Sequence, residues 1–239
     1  MRQKIFFISI VLITFFSFFS CQYLPLNKHE DNTLKKYDGS YSIVFICEDI
    51  CMANAIVEIT NGKIDGEIKN INQQTFLVIG YVESEGNLQL QSISENSDLI
   101  IEASGNINAD KIVTGNYSVD ERNCKLFGFR YSNHTNNIIS QYDGNYELEL
   151  TRAGQKIDTI MLNIQNGQFN TNLTTSTTDA YNIKGEISQQ GNIIINTLFS
   201  NKDAGITVIG SIHKNGTISG DYYKNPGIKG KFTGRKISD

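Results

Sequence analysis

The chain has 239 residues, a net charge of −4, two prolines and no tryptophan. A mildly acidic chain without basic clusters suits neither nucleic acid nor anionic lipid headgroups, so no nucleic-acid partner is expected. Many Gly, Asn, Ile and Thr with so little Pro describe strands joined by tight turns. Beyond the amino-terminal segment no stretch carries the 3.6-residue periodicity of an amphipathic helix.

Arg2 and Lys4 open the chain, and Ile5 to Phe19 follow as an unbroken run of apolar and small hydroxyl residues before Ser20-Cys21. A basic start, an apolar stretch and a small residue at the cut describe a secretory signal peptide over residues 1–20. The run is short for a spanning helix, which needs roughly 20 apolar residues. The Ser20-Cys21 junction resembles the lipobox of bacterial lipoproteins, with Phe18 standing where that motif usually has Leu. The resemblance implies cleavage before Cys21, a diacylglyceryl thioether on its sulfur and N-acylation of the new terminus. Two or three acyl chains anchor stably where one does not. The partner so implied is the lipid bilayer, through acylated Cys21. Loss of Arg2 and Lys4 with the signal takes the net charge from −4 to −6. Gln22 stands where an Asp retains Gram-negative lipoproteins at the inner membrane, which implies the outer membrane if the source is Gram-negative. The expected location is lipid-anchored outside the cytoplasm. Residues 21–36 read as a lipidated polar tether, with a coil reach of roughly 20 Å.

The rest of the chain is a duplication. Tyr37-Asp38-Gly39-Ser40-Tyr41 returns as Tyr142-Asp143-Gly144-Asn145-Tyr146, a shift of 105. The same shift carries Asn61-Gly62 onto Asn166-Gly167, Gly80 onto Gly185, Gly86-Asn87 onto Gly191-Asn192 and Gly115-x-Tyr117 onto Gly220-x-Tyr222. Without a gap it also sets Phe127 on Phe232. Two domains are expected, 37–133 and 142–239, with 134–141 between them.

Asn-Gly between alternating apolar residues is the strongest short-range hairpin signal, since both turn positions need positive φ. Tyr41, Ile43 and Phe45, then Leu88 and Leu90, Ile193 and Ile195, Ile206 and Val208 alternate with period two. That is the pattern of antiparallel strands with one dry face. Gly115 and Gly220 inside such patterns suggest a bulge or bend. The expected fold is all-β: two tandem antiparallel meanders of seven or eight strands, each a small barrel or sandwich. The glycine and tyrosine spacing is similar to that of streptavidin-like and lipocalin-like barrels. It also resembles a Y-D-G-x-Y repeat of exported proteobacterial proteins of unknown function. Such a resemblance implies fold and leaves function open.

Cys47, Cys51 and Cys124 all fall in the first copy; a gapless alignment sets Arg152, Lys156 and Lys229 opposite them. An exported protein meets oxidising conditions, so a disulfide is expected. If the first and last strands pair, Cys124 reaches either Cys47 or Cys51, and a small Cys47–Cys51 loop stays open as a third arrangement. The Y-D-G-x-Y resemblance implies Cys51–Cys124, with Cys47 the alternative partner. Three cysteines without a nearby histidine make a poor zinc site.

Metalloprotease, nucleophile-elbow, S-x-x-K, P-loop and dinucleotide motifs do not occur. Asp38 and Asp143 recur within Y-D-G and read as turn caps rather than catalytic acids. Asp98 and Asp203 recur as N-x-D loops with too few carboxylates around them for calcium. Four glycosylation sequons read as chance in an Asn- and Thr-rich bacterial chain. Tyr81, Phe199 and Tyr223 are aromatic where the other copy has Glu186, Ser94 and Ser118, and are candidates for a binding patch. The function expected is that of a membrane-anchored lipoprotein with non-catalytic β modules, binding or structural, contacting envelope protein or glycan. The alternative is a carrier of a small apolar ligand in a lumen lined by Tyr41, Ile43 and Phe45. No cofactor and no enzymatic activity are expected.

Overall fold

The computed structural model describes residues 33–48, 50–70, 74–93, 101–119, 122–131, 139–169, 172–174, 180–198, 206–224 and 227–238. The signal segment, Cys21 and most of the tether lie outside these residues, as do Asp98, Phe199 and Asp203.

The fold is all-β, as two antiparallel meanders in tandem. The first comprises β1 (Gly39–Cys47), β2 (Ile50–Thr60), β3 (Lys63–Asn70), β4 (Thr75–Val82), β5 (Asn87–Ile93), β6 (Glu102–Ile107), β7 (Ile112–Val119) and β8 (Arg122–Arg130). Each strand pairs with the next and β8 pairs back onto β1, so the barrel closes and exposes no strand edge. The second comprises β9 (Gly144–Arg152), β10 (Gln155–Gln165), β11 (Gln168–Phe169), β12 (Asn172–Thr174), β13 (Ala180–Ile187), β14 (Asn192–Leu198), β15 (Ile206–Ile212), β16 (Thr217–Lys224) and β17 (Ile228–Ser238). Here β11 pairs with β10 and β12 with β13, so the two short strands divide between them the place held by β3 in the first copy. The first copy is thus a closed barrel, and the second is a separate, barrel-like nine-stranded sheet that ends on β11 and β12, called barrel two below.

The repeat alignment needs one correction. Gly128 lies opposite Val113, whereas Gly234 lies opposite Ile218. The shift is 105 through β16 and becomes 106 in β17, because the turn before β17 is one residue longer. Phe232 therefore matches Leu126, not Phe127, and Cys124 matches Gly230 rather than Lys229.

The alternation read from sequence is the inside–outside pattern of the barrels. Tyr41, Ile43 and Phe45 from β1, with Val57, Leu88 and Leu126, are fully buried in the first lumen. Tyr146, Leu148, Ile193 and Phe232 fill the second. Gly115 and Gly220 are not bulges: Gly105 pairs directly with Gly115, and Gly210 with Gly220. Their use is space. A Cβ on Gly210 or Gly220 would stand 2.6 or 2.7 Å from the Phe232 ring.

The Tyr-Asp-Gly-x-Tyr motif closes one end of each barrel. Asn61 and Gly62 have φ of 50° and 76°, both left-handed, as a two-residue hairpin turn requires. Asp38 accepts the Asn61 N–H through Oδ1 at 2.8 Å. Asp143 accepts both the Asn166 and Gly167 N–H groups, each at 2.9 Å. Gly39 and Gly144 have φ of 134° and 137°, closed to other residues without strain. The first tyrosine donates across the barrel mouth to the Ser84 or Gln189 carbonyl, both at 3.2 Å. The second donates back to the carbonyl of the first, at 2.9 and 2.8 Å. A short 3-10 turn, Lys35–Tyr37 or Ile139–Tyr142, leads into each latch. Leu34 packs over Gly62, so the last residues of the expected tether belong to the first barrel.

Asp38 and Asp143 are thus turn caps. Loss of a hydrogen bond to a charged acceptor costs about 1.5–3 kcal/mol. Asp38→Ala and Asp143→Ala should each lower stability by about 1–3 kcal/mol, Asp143→Ala more because two N–H groups lose their acceptor. Urea denaturation of the two variants checks both the size and the order.

Candidate functional site

Alternation alone places Cys51 inside the barrel, in phase with Ala53, Ala55 and Val57. The ladder between β1 and β2 contains a bulge that reverses this: Phe45 pairs with Ala53, but Ile46 pairs with Cys51, leaving Met52 as the extra residue. The second copy has the same bulge, at Ile157. Beyond the bulge, Cys47 faces the lumen beside Cys124 while Cys51 faces outward. The disulfide is Cys47–Cys124, with 4.4 Å between Cα atoms. The Cys51–Cys124 pairing implied by resemblance is therefore incorrect, and Cys51 is a buried free thiol.

Cys51 is buried in a seam between the barrels. Val44 and Ile46 of β1, Phe127 and Phe129 of β8, and Tyr131 form one side; Ile194 of β14, Ile209 of β15 and Tyr223 of β16 form the other. Burial pushes the Cys51 thiol up to about 11, against hydrogen bonds to Thr207 and the Ala53 carbonyl. A thiol so held is a packing group, not a nucleophile. Glu186 of β13 also reaches the seam, near Tyr131, and burial pushes its carboxyl up to about 7. Of the aromatics unique to one copy, Tyr223 is used here, in the seam, and not in an open patch.

The seam is head-to-tail. Barrel one contributes the outside of its first and last strands; barrel two contributes the outside of β13 to β16. The counterparts of Val44, Ile46, Cys51, Phe127 and Phe129 in barrel two are Glu149, Thr151, Lys156, Thr233 and Arg235. That face is charged, with Lys156 paired to Glu149 at 3.0 Å. The counterparts of Ile194, Thr207, Ile209 and Tyr223 in barrel one are Gln89, Glu102, Ser104 and Ser118. This second face is open.

On that open side lies a groove of about 510 Å³ over Gly80, lined by Ile79 and Tyr81 with Lys63, Asp65, Gln89, Gln91 and Glu102 among its polar groups. Leu77, Ile79 and Tyr81 are successive outward positions of β4, and Leu77 and Tyr81 are 60% and 51% exposed. Glu67, Asp65 and Lys63 of β3 flank this row on one side. Ile93, Gln91 and Gln89 of β5 flank it on the other. This exposed apolar row, with charged and amide side chains beside Ile79 and Tyr81, makes the face a candidate contact site. Sequence comparison of the copies had singled out Tyr81 but not the row, because Leu77 and Ile79 read as ordinary strand residues. Among the described residues no cluster of three or more His, Cys, Asp or Glu is placed to hold a metal.

No protein-family profile matches the chain, and no curated protein matches it. Among solved structures, the chain is similar to the Burkholderia oklahomensis agglutinin at 8% identity, over 83% of this chain and 84% of that one, with a TM-score of 0.21. It is similar to the Myxococcus xanthus hemagglutinin, solved in complex with a mannopentaose, at 9% identity over 82% and 99% of the two chains, TM-score 0.18. It is similar to transferrin binding protein B of serogroup B Neisseria meningitidis at 8% identity over 78% and 51%, TM-score 0.26. At these scores the likeness carries no reading of function.

Two outcomes follow. Non-reducing peptide mapping should recover Cys47 joined to Cys124, with Cys51 alkylated only after unfolding; reduction should cost about 2–4 kcal/mol by releasing the closed loop. Glu186 has a folded pKa of about 7 against an ordinary 4.5. Between these values the unfolded chain has released the proton that the folded chain retains, so stability falls as pH rises from about 4.5 to about 7. Thermal melts across this range should show that Glu186→Gln flattens the decline relative to the parent.

Proposed function

We propose that the chain is a non-catalytic binding module, tethered by lipid at Cys21 outside the cytoplasm, that takes a glycan chain in the Tyr81 groove of the first barrel. The observation that carries the reading is the exposed row Leu77, Ile79 and Tyr81 on a closed barrel, with Asp65, Lys63, Gln89 and Gln91 beside Ile79 and Tyr81. A closed barrel offers no strand edge for a peptide to extend, so recognition falls to side chains on the face. A tyrosine ring provides a flat surface for the C–H face of a sugar, and Asp65, Gln89, Gln91 and Glu102 surround it with hydroxyl-binding groups. The corresponding face of barrel two already serves as a contact surface, in the seam.

The filled lumens support this reading over the carrier alternative. Tyr41, Ile43 and Phe45 are fully buried in one continuous cluster with the other inward side chains. The hydroxyls of Tyr117 and Tyr222, one at the same position in each lumen, are buried without a hydrogen-bond partner. They are polar features and do not suit an apolar guest. Nothing in the groove resembles a nucleophile with its base.

The test is an array of bacterial envelope glycans probed with the full chain and with Tyr81→Ala. The parent should bind, and the variant should lose about tenfold or more, as for a central aromatic anchor. It should melt as the parent does, since Tyr81 is exposed. No binding by the parent, or undiminished binding by the variant, would sink the reading. In the same preparations Cys21→Ser should lose palmitate label and move from the detergent to the aqueous phase.

A further inference from the structure

The mouth of the first barrel holds a second cleft, on the side where barrel two meets it. It has a volume of about 260 Å³ and is lined by Asp38, Gly39, Lys111, Arg130 and Tyr131 of the first copy and by Gln189 and Gln190 of the second. Arg130 donates from Nη1 to the Asp38 carbonyl at 3.1 Å, which orients the guanidinium and leaves its other donors for the cleft. Lys111 and Lys36 both approach the Tyr37 ring, with ammonium groups 5.5 and 4.9 Å from its centre. Burial, then Arg130 and Lys36, press the Lys111 ammonium below its ordinary range, with Asp110 opposing. The carboxylate lining the cleft is Asp38, whose Oδ1 is engaged by the Asn61 amide.

A partly corresponding cleft on barrel two is lined by Gly216, Lys236 and Ile237 where the first has Lys111, Arg130 and Tyr131; it also takes in His213, Lys214 and Asn215 and lacks the counterparts of Asp38 and Gly39. Gly216 has φ of 80° and Lys111 has φ of 63°. This turn therefore calls for glycine, and the second copy has it. A lysine held in left-handed backbone, against its preference and beside an arginine, is the kind of outlier that marks a binding position. The closing turn shows the same bias. Gln190 is the counterpart of Glu85, so a position that bears a carboxylate in one copy bears a neutral amide where it faces these cations. Ser188 holds that turn, its Oγ accepting the Gln190 N–H at 3.2 Å and the Asn192 N–H at 3.0 Å.

We infer that this junction cleft binds a small oxyanion, a phosphate or carboxylate group, between Lys111 and Arg130 and beside Gln189 and Gln190. Arg130 presents a planar fork and Lys111 a point charge, the pairing that suits an oxyanion. The cleft has about half the volume of the Tyr81 groove and shares no lining residue with it, which separates the two sites.

The test is titration calorimetry of the full chain in non-ionic detergent. The probes are inorganic phosphate, acetate and dihexanoyl phosphatidylglycerol, with sodium chloride at matched ionic strength as control. Saturable binding of phosphate or acetate is expected, weakened about tenfold by Lys111→Gly and by Arg130→Gln. Lys111→Gly installs the residue of the second copy at a glycine-favouring position and should melt no lower than the parent, so its loss of binding is not a loss of fold. Stronger binding of inorganic phosphate identifies a free phosphoryl group as the ligand, of acetate a carboxylate, and of the short-chain lipid a headgroup. Heats no larger than those of the chloride control, or an affinity that Lys111→Gly leaves unchanged, would overturn the assignment.

Discussion

The architecture depends on one hydrogen-bonded contact made twice: an aspartate at the foot of the first strand receiving the backbone N–H of a hairpin turn 23 or 24 residues further on. It ties β1 to the β2–β3 turn, and β9 to the turn after β10. A strand that slips by one residue exchanges its buried and exposed faces, so such a tie protects the whole inside–outside pattern. The two tyrosines of the motif extend the tie across the mouth, with the first fastened to the next hairpin and the second to the first. The motif is thus structural in both copies, and its recurrence reflects a shared closure problem rather than shared chemistry.

A single extra residue in the second strand has consequences beyond its own turn. The bulge at Met52 reverses which face follows it, sending Cys51 outward while Cys47 and Cys124 meet inside. Ile157 repeats the bulge where no cysteine is involved, so the device belongs to the repeat and the disulfide was fitted around it. Cys51, excluded from the bridge, became part of the apolar seam.

The two barrels have diverged chiefly on their outsides. Barrel one is apolar on the face that meets its neighbour, and barrel two is charged at the same place. The seam is therefore built from one apolar face of each copy and not from a repeated surface. It also leaves the β4–β6 side of barrel one, with its exposed apolar row, without a partner among the described residues. The groove there and the cationic cleft at the junction draw on different surfaces: one is open and shallow, the other is completed only when the second barrel adds Gln189 and Gln190.

Much of this was legible in the sequence. Period-two alternation and Asn-Gly turns specify antiparallel hairpins because they express local backbone geometry, and the duplication appears because turn glycines cannot drift. The cap role of Asp38 and Asp143 was likewise legible, since an Asp-Gly at a strand start has few other uses. Three things were decided by tertiary structure. The face of Cys51 turned on a bulge that no local composition announces, since Met52 fits a regular strand as well as a bulged one. The register of β17 turned on one inserted residue in a turn, hidden from a gapless comparison because Phe127 happened to fall on Phe232. The role of Tyr223, and the meeting of Lys111 and Arg130 with Gln189 and Gln190, depended on which face of one barrel packs on the other. Hairpins are encoded by neighbours in the chain, but the packing of two finished barrels is set by side chains far apart in sequence.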